Sequence, residues 1–330
     1  MNRTCLYFTG DQSVEVREEP LPDCPPDQLL VQTHISAISA GTEMLYYRGM
    51  VPDSLLTDVS IEALRNSDDY PMKYGYAVSG EVVSTGADVS KEWSGQPVFV
   101  LHPHESHFCV SPEDVITLPN AMEMEDAVFL ANTETAVNLL MDGAPIIGER
   151  VHVFGQGVVG LLVTALLRQY PQLHITTYDL HPVRREKSLE LGADRTLDPT
   201  GEDRFSGEKA DLTFELSGSP AGLNQALRVT GFEGRIVVGS WYGTKQVPLE
   251  LGDRFHRSRI RLISSQVSSI AGNYRGRWSH QRRMVLALES LESLDTQGLI
   301  SHRFGIEEAG KAYELLHRHQ EEALQVILTY

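Results

Sequence analysis

The sequence predicts an α/β protein in two parts, a doubly wound parallel sheet and a small β-rich barrel, and three observations carry that expectation. Residues 149–160 read ERVHVFGQGVVG, an apolar run followed at once by Gly155, Gly157 and Gly160 and then by the helix-like LLVTALLRQY. From about residue 121 onward, short apolar runs alternate with helical patterns, as the βαβ units of a parallel sheet require. Before residue 120 the runs are short, β-like and separated by Gly, Pro and Asp, and a chain of 330 residues is long for a single core.

In the first part, LLVQTHISAIS (29–39), AVSGEVVSTG (77–86) and PVFVLH (97–102) are strand candidates. They are interrupted by PDSLLTDVSIEALRNSDD (52–69), whose apolar residues recur at near-helical spacing and predict a helical insertion over one mouth of the barrel. MEDAVFLANTETAVNLLMDG (124–143) reads as one helix, followed by the glycine-rich strand and helix, HITTYD (174–179), a helix over 182–191, and ADRTL (193–197). ADLTFELSG (210–218), the helix PAGLNQALRVT (220–230), RIVVGS (235–240) and RLISSQV (261–267) continue the alternation. The tail reads as a helix and a last strand, EALQVILTY, that returns to the first domain. The expected domains are therefore 1–120 with 299–330, and 121–298.

The glycine spacing has a physical meaning. In G-x-G-x-x-G the first glycine permits a tight turn and the second lets backbone approach a pyrophosphate. The third lets the helix pack closely on the strand, with the phosphate at the positive end of the helix dipole. HITTY ends at Asp179, 19 residues after Gly160, where a carboxylate accepts hydrogen bonds from an adenosine ribose and repels a 2′-phosphate. This points to a dinucleotide, NAD in preference to NADP. His181, Arg184 and Arg185 lie just beyond, either as a phosphate-holding set that admits NADP or as a solvated helix start. Contacts are expected at strand ends on the carboxyl side of the sheet: Gly155, Gln156, Gly157, Val158, Val159, Asp179, Ser217 and Gly239, with Arg184 beside them.

The formal net charge of −17 argues against a nucleic-acid or anionic-membrane partner, since both would repel the chain. Three widely spaced cysteines imply neither a disulfide framework nor a C-x-x-C metal pair. No run approaches the roughly 18 apolar residues of a membrane span, and MNRTCLYFTG lacks an apolar leader core. The expectation is a cytoplasmic protein acting on a small molecule.

Read together, SAISAGTE (36–43), MKYGYAVSGEVVSTGADV (72–89), GQPVFV, TETA, VFGQGVVG and HRFGIEEAGKAYELL resemble the medium-chain dehydrogenase/reductase superfamily over nearly the whole chain. The resemblance implies a GroES-like catalytic domain from both chain ends and a Rossmann domain between them, and Thr135 in TETA matches a threonine beside the nicotinamide. It also exposes what is missing. Zinc-dependent members carry Cys-Gly-Thr-Asp where this chain has Ala40-Gly41-Thr42-Glu43, Gly-His-Glu where it has Gly75-Tyr76-Ala77, and a Cys or Glu where it has Ala131. Alanine has no donor atom and a phenol is a poor zinc ligand, so no catalytic zinc is expected. His102, His104 and His107 offer three imidazoles, but they alternate faces at a strand exit and read as a polar loop. SAGTEMLYYRGMVP is similar to the zinc-lacking branch that includes the bacteriochlorophyllide hydroxyethyl dehydrogenases.

The cofactor carries the hydride, and without zinc the proton requires either a hydrogen-bonding acid or a reaction that needs less polarisation. Thr42 matches the hydroxyl that relays the proton in zinc-dependent relatives, Tyr76 stands where a ligand histidine would, and Glu43 is adjacent; Tyr76 reads equally well as filler for the vacated site. Tyr46, Tyr47, Lys73 and His102 are further candidates, and Glu134 beside Thr135 reads either as a catalytic carboxylate or, in preference, as a helix-surface charge. The arginines of 253–283 form either an anion-recognising rim or salt bridges to acidic partners. The expected function is a zinc-independent oxidoreductase for a secondary alcohol or ketone of a biosynthetic intermediate. The alternatives are an NADPH-dependent quinone or enoyl reductase and a non-catalytic dinucleotide-binding protein. Edge strands like RLISSQVSS pair across a dimer axis in this superfamily, so a homodimer is expected.

Overall fold

The computed structural model describes residues 2–52, 61–64, 69–205, 207–296 and 298–330. The chain forms two compact units, Met1–Ala131 with Thr296–Tyr330, and Asn132–Asp295.

The first unit opens with β1 (Asn2–Phe8) and β2 (Val14–Pro20), an antiparallel pair. Then come β3 (Leu29–Ile38), the short helix α1 (Thr42–Tyr47), β4 (Val78–Thr85), β5 (Pro97–Val100), β6 (His107–Val110), β7 (Val115–Thr117) and helix α2 (Met124–Ala127). β3 is the central strand, pairing with β4 and with β6, and β4 continues to β5 and β7. Leu29, Val31, Val78, Val98 and Phe108 fill one core of this unit. A second core gathers Phe8, Tyr47, Tyr74 and Tyr313, with the Tyr47 and Tyr313 rings stacked at 5.5 Å between centroids and Phe8 and Tyr313 edge-to-face at 5.2 Å between centroids.

The second unit takes up α3 (Leu130–Gly143) and then alternates β8 (Arg150–Phe154), α4 (Val158–Leu167), β9 (His174–Tyr178), α5 (Pro182–Glu190), β10 (Arg195–Leu197), β11 (Ala210–Glu215), α6 (Pro220–Val229), β12 (Thr230–Val238), β13 (Arg261–Ser264) and α7 (His280–Glu292). Its six strands run in the order β10-β9-β8-β11-β12-β13, every pairing parallel. That order reverses direction between β8 and β11, which puts the end of β8 at the switch point where doubly wound sheets bind ligands. Val151, Val153, Leu212, Phe214, Ile236 and Val237 are all buried, as central parallel strands covered on both faces must be. Helix α4 is buried from Gly160 to Leu167, which is why its sequence is apolar all round.

The chain returns to the first unit as β14 (Ile300–Gly305), α8 (Ala309–Arg318) and β15 (Gln325–Thr329). β15 lies parallel to β14 and antiparallel to β3, so the last strand completes the seven-stranded sheet of the first unit.

Several details depart from the sequence expectation. The helix expected over 124–143 is two helices, α2 and α3. The insertion expected over 52–69 lies largely outside the described residues; within it Glu62–Leu64 form one 3-10 turn. Strands β1, β2, β6, β7 and β14 and helix α7 carried no clear periodic signal. Each is short, like β7, or mixes charge into both faces, as VEVREEP does in β2. No described helix is long and apolar enough to cross a membrane.

Candidate functional site

In the second unit the three fingerprint glycines are distinguished by what a side chain would meet. At Gly155, φ is +89° and a Cβ would lie 2.6 Å from the Leu216 carbonyl carbon. At Gly160 it would lie 1.9 Å from the Gly155 carbonyl oxygen. At Gly157, the N-cap of α4, a Cβ would meet nothing within 4 Å. Two glycines are therefore required by the chain's own packing, and the middle one leaves open space over the start of a helix. Val158 and Val159 form that first turn, whose N–H groups have no intrahelical partner. An open approach to such a turn fits a pyrophosphate.

Gln156 is wholly buried and braces the turn: its Nε2 donates to the Gly155 carbonyl at 3.1 Å, and its Oε1 accepts the Thr164 hydroxyl at 3.1 Å. It is a packing residue between the glycines. Asp179 follows β9 with 7% of its surface exposed. Its Oδ2 accepts the Gln156 N–H at 2.7 Å and its Oδ1 the His181 N–H at 2.9 Å. The carboxylate is thus fixed against the glycine turn. Arg184 is half-buried in the first turn of α5. Arg185 donates to the carbonyls of Asp179 at 2.8 Å and Leu180 at 2.9 Å.

The ends of β11 and β12 carry a cluster that the sequence did not announce. Glu215, fully buried, accepts the Ser217 N–H at 2.9 Å and the Ser217 hydroxyl on Oε1, and the Tyr242 hydroxyl at 2.6 Å on Oε2. Burial and the Glu215 charge raise the Tyr242 phenol above its ordinary value, so it remains a donor. Ser217 therefore turns its hydroxyl to its own chain. At Gly239 a Cβ would lie 2.6 Å from Leu139 Cδ2, so the absent side chain lets α3 close on the sheet.

Thr135 lies half-buried on α3. Its neighbour Glu134 corrects the sequence reading: it is 8% exposed and not a surface charge, because Arg283 from α7 donates to its Oε1 through Nε at 3.0 Å and Nη2 at 2.9 Å. Arg283 also donates to Asn138 Oδ1 at 2.6 Å and to the Val267 carbonyl. Burial raises Glu134 above the usual carboxylate range, and Arg283 opposes that. The arginines of 253–283 thus do not form one rim. Arg283 is buried, Arg259 pairs with Glu233 at 3.0 Å, Arg275 donates to the Ile270 carbonyl, and Arg282 covers Trp278.

In the first unit the residues Ser39, Thr42, Glu43 and Tyr76 come together. The Tyr76 hydroxyl donates to Ser39 Oγ at 2.6 Å, which also takes the Thr42 N–H at 3.3 Å. Thr42 opens α1, and Glu43 behind it accepts the Ser39 N–H at 2.8 Å. Ala40 and Ala131 offer only methyl groups, so of these two and Tyr76 a phenol is the sole donor, and it is bonded to serine. That set does not fit zinc. The three histidines separate: His104 is buried against Glu43 and Ser36, His102 stacks on Phe108 at 3.6 Å, and His107 Nδ1 lies 3.1 Å from Ser106 Oγ. Tyr46 and Tyr47 are core residues, and Lys73 is paired with Glu19 at 2.9 Å and Glu105 at 2.6 Å. Ser39 and His104 were not chosen as catalytic candidates from sequence.

The strand order and the glycine turn together define the second unit as an α/β domain of the doubly wound class. A family model described as zinc-binding dehydrogenase matches residues 158–285. The chain is 27% identical to (R,R)-butanediol dehydrogenase of Bacillus subtilis over 61% of this chain and 66% of that one. It is 23% identical to sorbitol dehydrogenase 1 of Saccharomyces cerevisiae over 98% and 96% of the two chains. A short chain alcohol dehydrogenase from Escherichia coli, solved in complex with cofactor NADH, superimposes with a TM-score of 0.81 at 17% identity, covering 100% and 99% of the chains. The family match is confined to residues 158–285, and the likeness to solved structures shows the fold, a GroES-like unit and a Rossmann-like unit.

Proposed function

We propose that the chain is an oxidoreductase exchanging hydride between NAD(H) and a secondary alcohol or ketone, without a catalytic zinc. The observation that carries it is the open space at Gly157 beside a fixed Asp179, between two glycines that admit no side chain. The relatives named as alcohol and polyol dehydrogenases point the same way. Thr135, Val158, Val159, Ser217 and Gly239 are the further cofactor contacts we assign, with Arg184 bordering the ribose.

The nicotinamide, when bound, supplies or accepts the hydride. The protein's own share is the proton. Tyr76 holds it at the phenol oxygen, and Ser39 Oγ has its own hydroxyl hydrogen; rotating that hydrogen toward Tyr76 reverses their bond and releases the phenol proton toward a substrate oxygen. Thr42 keeps Ser39 oriented through its N–H and presents a second hydroxyl. Glu43, with no exposed surface, acts through Ser39. The biosynthetic nature of the substrate and a homodimeric assembly are part of the same proposal.

The test is a fluorescence titration of metal-analysed protein with NADH and NADPH, alongside Gly157→Ala. The parent should bind NADH at least about tenfold more tightly than NADPH, without stoichiometric zinc. Gly157→Ala should keep the parent's unfolding midpoint while losing NADH affinity, whereas Gly160→Ala, with nowhere to place its methyl, should lose both. Unchanged NADH affinity in Gly157→Ala, or no binding by the parent, would defeat the proposal.

A further inference from the structure

Neither Glu43 nor His104 exposes any side-chain surface. Removing a carboxylate from water costs several kcal/mol, and apolar residues of similar volume are often as stable, so stability does not explain the presence of these two. What they hold does. Glu43 Oε1 accepts the Ser39 N–H at 2.8 Å, and Oε2 accepts the Tyr313 hydroxyl at 2.5 Å and lies 3.0 Å from His104 Nε2. Behind the imidazole, Nδ1 lies 2.7 Å from Ser36 Oγ, itself 2.9 Å from the Tyr330 hydroxyl. Burial and the Glu43 charge push the Tyr313 phenol well above its ordinary value, keeping it a donor.

The cluster has two outlets toward Tyr76. One is Ser39, gripped by Glu43 through its N–H and bonded to Tyr76 through its hydroxyl. The other is Gly75, whose φ is +123° and where a Cβ would lie 2.7 Å from His104 Cδ2, so the imidazole packs directly under the backbone that carries Tyr76. We infer that Glu43 and His104 are positioning residues that hold the Ser39 hydroxyl and the Tyr76 phenol in register from two sides. This rests on the reading of Tyr76 as the proton-bearing group.

The test uses full-length protein carrying tyrosine labelled at Cζ with carbon-13, with the Tyr76 signal identified by its loss in Tyr76→Phe. In Glu43→Gln the Tyr76 resonance should move or split while the NADH dissociation constant stays within about twofold, and Glu43→Asp should restore part of the parent spectrum. Where the parent oxidises 2,3-butanediol with NAD, kcat in Glu43→Gln should fall roughly tenfold to a hundredfold at unchanged KM for NAD, the scale of a misplaced reacting group. A folded Glu43→Gln with the parent's Tyr76 resonance overturns the inference. Should that variant not fold, Ser36→Ala removes only the hydroxyl behind His104, and an unmoved Tyr76 resonance there overturns it equally. A parent that does not bind NADH defeats the proposed function instead and leaves the resonance test intact.

Discussion

Replacing Arg283 by Met should strongly destabilise the Asn132–Asp295 unit. Arg283 is 1% exposed and makes two hydrogen bonds to Glu134, one to Asn138 and one to the Val267 carbonyl, so its removal strands a buried carboxylate rather than merely deleting a contact. Breaking a buried pair by removing one partner costs about 3–5 kcal/mol, while replacing both partners with neutral groups is often close to neutral. With a urea dependence of about 2 kcal/mol/M, the midpoint should fall by roughly 1.5–2.5 M. Urea unfolding followed through Trp241 and Trp278, in a Trp93→Phe background, reads this unit. The sign with pH is also determined. Burial already raises Glu134 above its unfolded value, and loss of Arg283 raises it further, so the variant's deficit should be smallest below the ordinary carboxylate range and grow as pH rises through the raised value. Glu134→Gln with Arg283→Met should recover at least about half the loss. A single variant within about 1 kcal/mol of the parent, or a double variant no better than the single, refutes the account.

Asp179→Ser should lower the preference for NADH over NADPH by about tenfold or more, since it removes the charge that repels a 2′-phosphate; parallel titrations with both nucleotides measure it. The unit should also lose stability in mild acid through His152, which burial lowers to about 4. The unfolded value lies near 6.5, so the folded state resists protonation, and the contribution is complete above about 6.5 and lost as pH falls toward 4, up to about 3 kcal/mol. His152→Phe should flatten that limb of the urea midpoint against pH, and an unchanged slope would remove His152 from the explanation.

The parts of the molecule legible in its sequence are those where neighbours along the chain set the physics. Gly155, Gly157 and Gly160 lie in one short stretch, and their roles follow from backbone approach alone, so spacing sufficed to expect a strand, a turn and a helix start. The apolar β8, β11 and β12 declare a sheet covered on both faces for the same reason. Glu134 was misread because a lone carboxylate in a helical pattern is usually solvated, and its partner is 149 residues away on a helix the pattern did not reveal. The only sequence hint was an arginine in the otherwise amphipathic HQRRMVLALESLE, indistinguishable there from its exposed neighbour Arg282.

The same reasoning explains why the Tyr76 end of the site was half seen. Its absences were visible, since Ala40 and Ala131 lack donor atoms wherever they fold. Its replacements were not: Glu43 meets His104 across 61 residues and Tyr313 across 270, and Ser36 meets Tyr330 across 294. Such a cluster exists only once β15 has closed against β3 and α8 has brought Tyr313 over α1. The return of the chain end therefore does two things at once. It completes a sheet, and it brings the Tyr313 phenol to Glu43 and the Tyr330 phenol to the Ser36 hydroxyl behind His104. Truncating the chain from α8 onward would thus remove more than edge pairing: the Tyr313 hydroxyl that donates to the buried Glu43 and the Tyr330 hydroxyl beside Ser36 would leave with it.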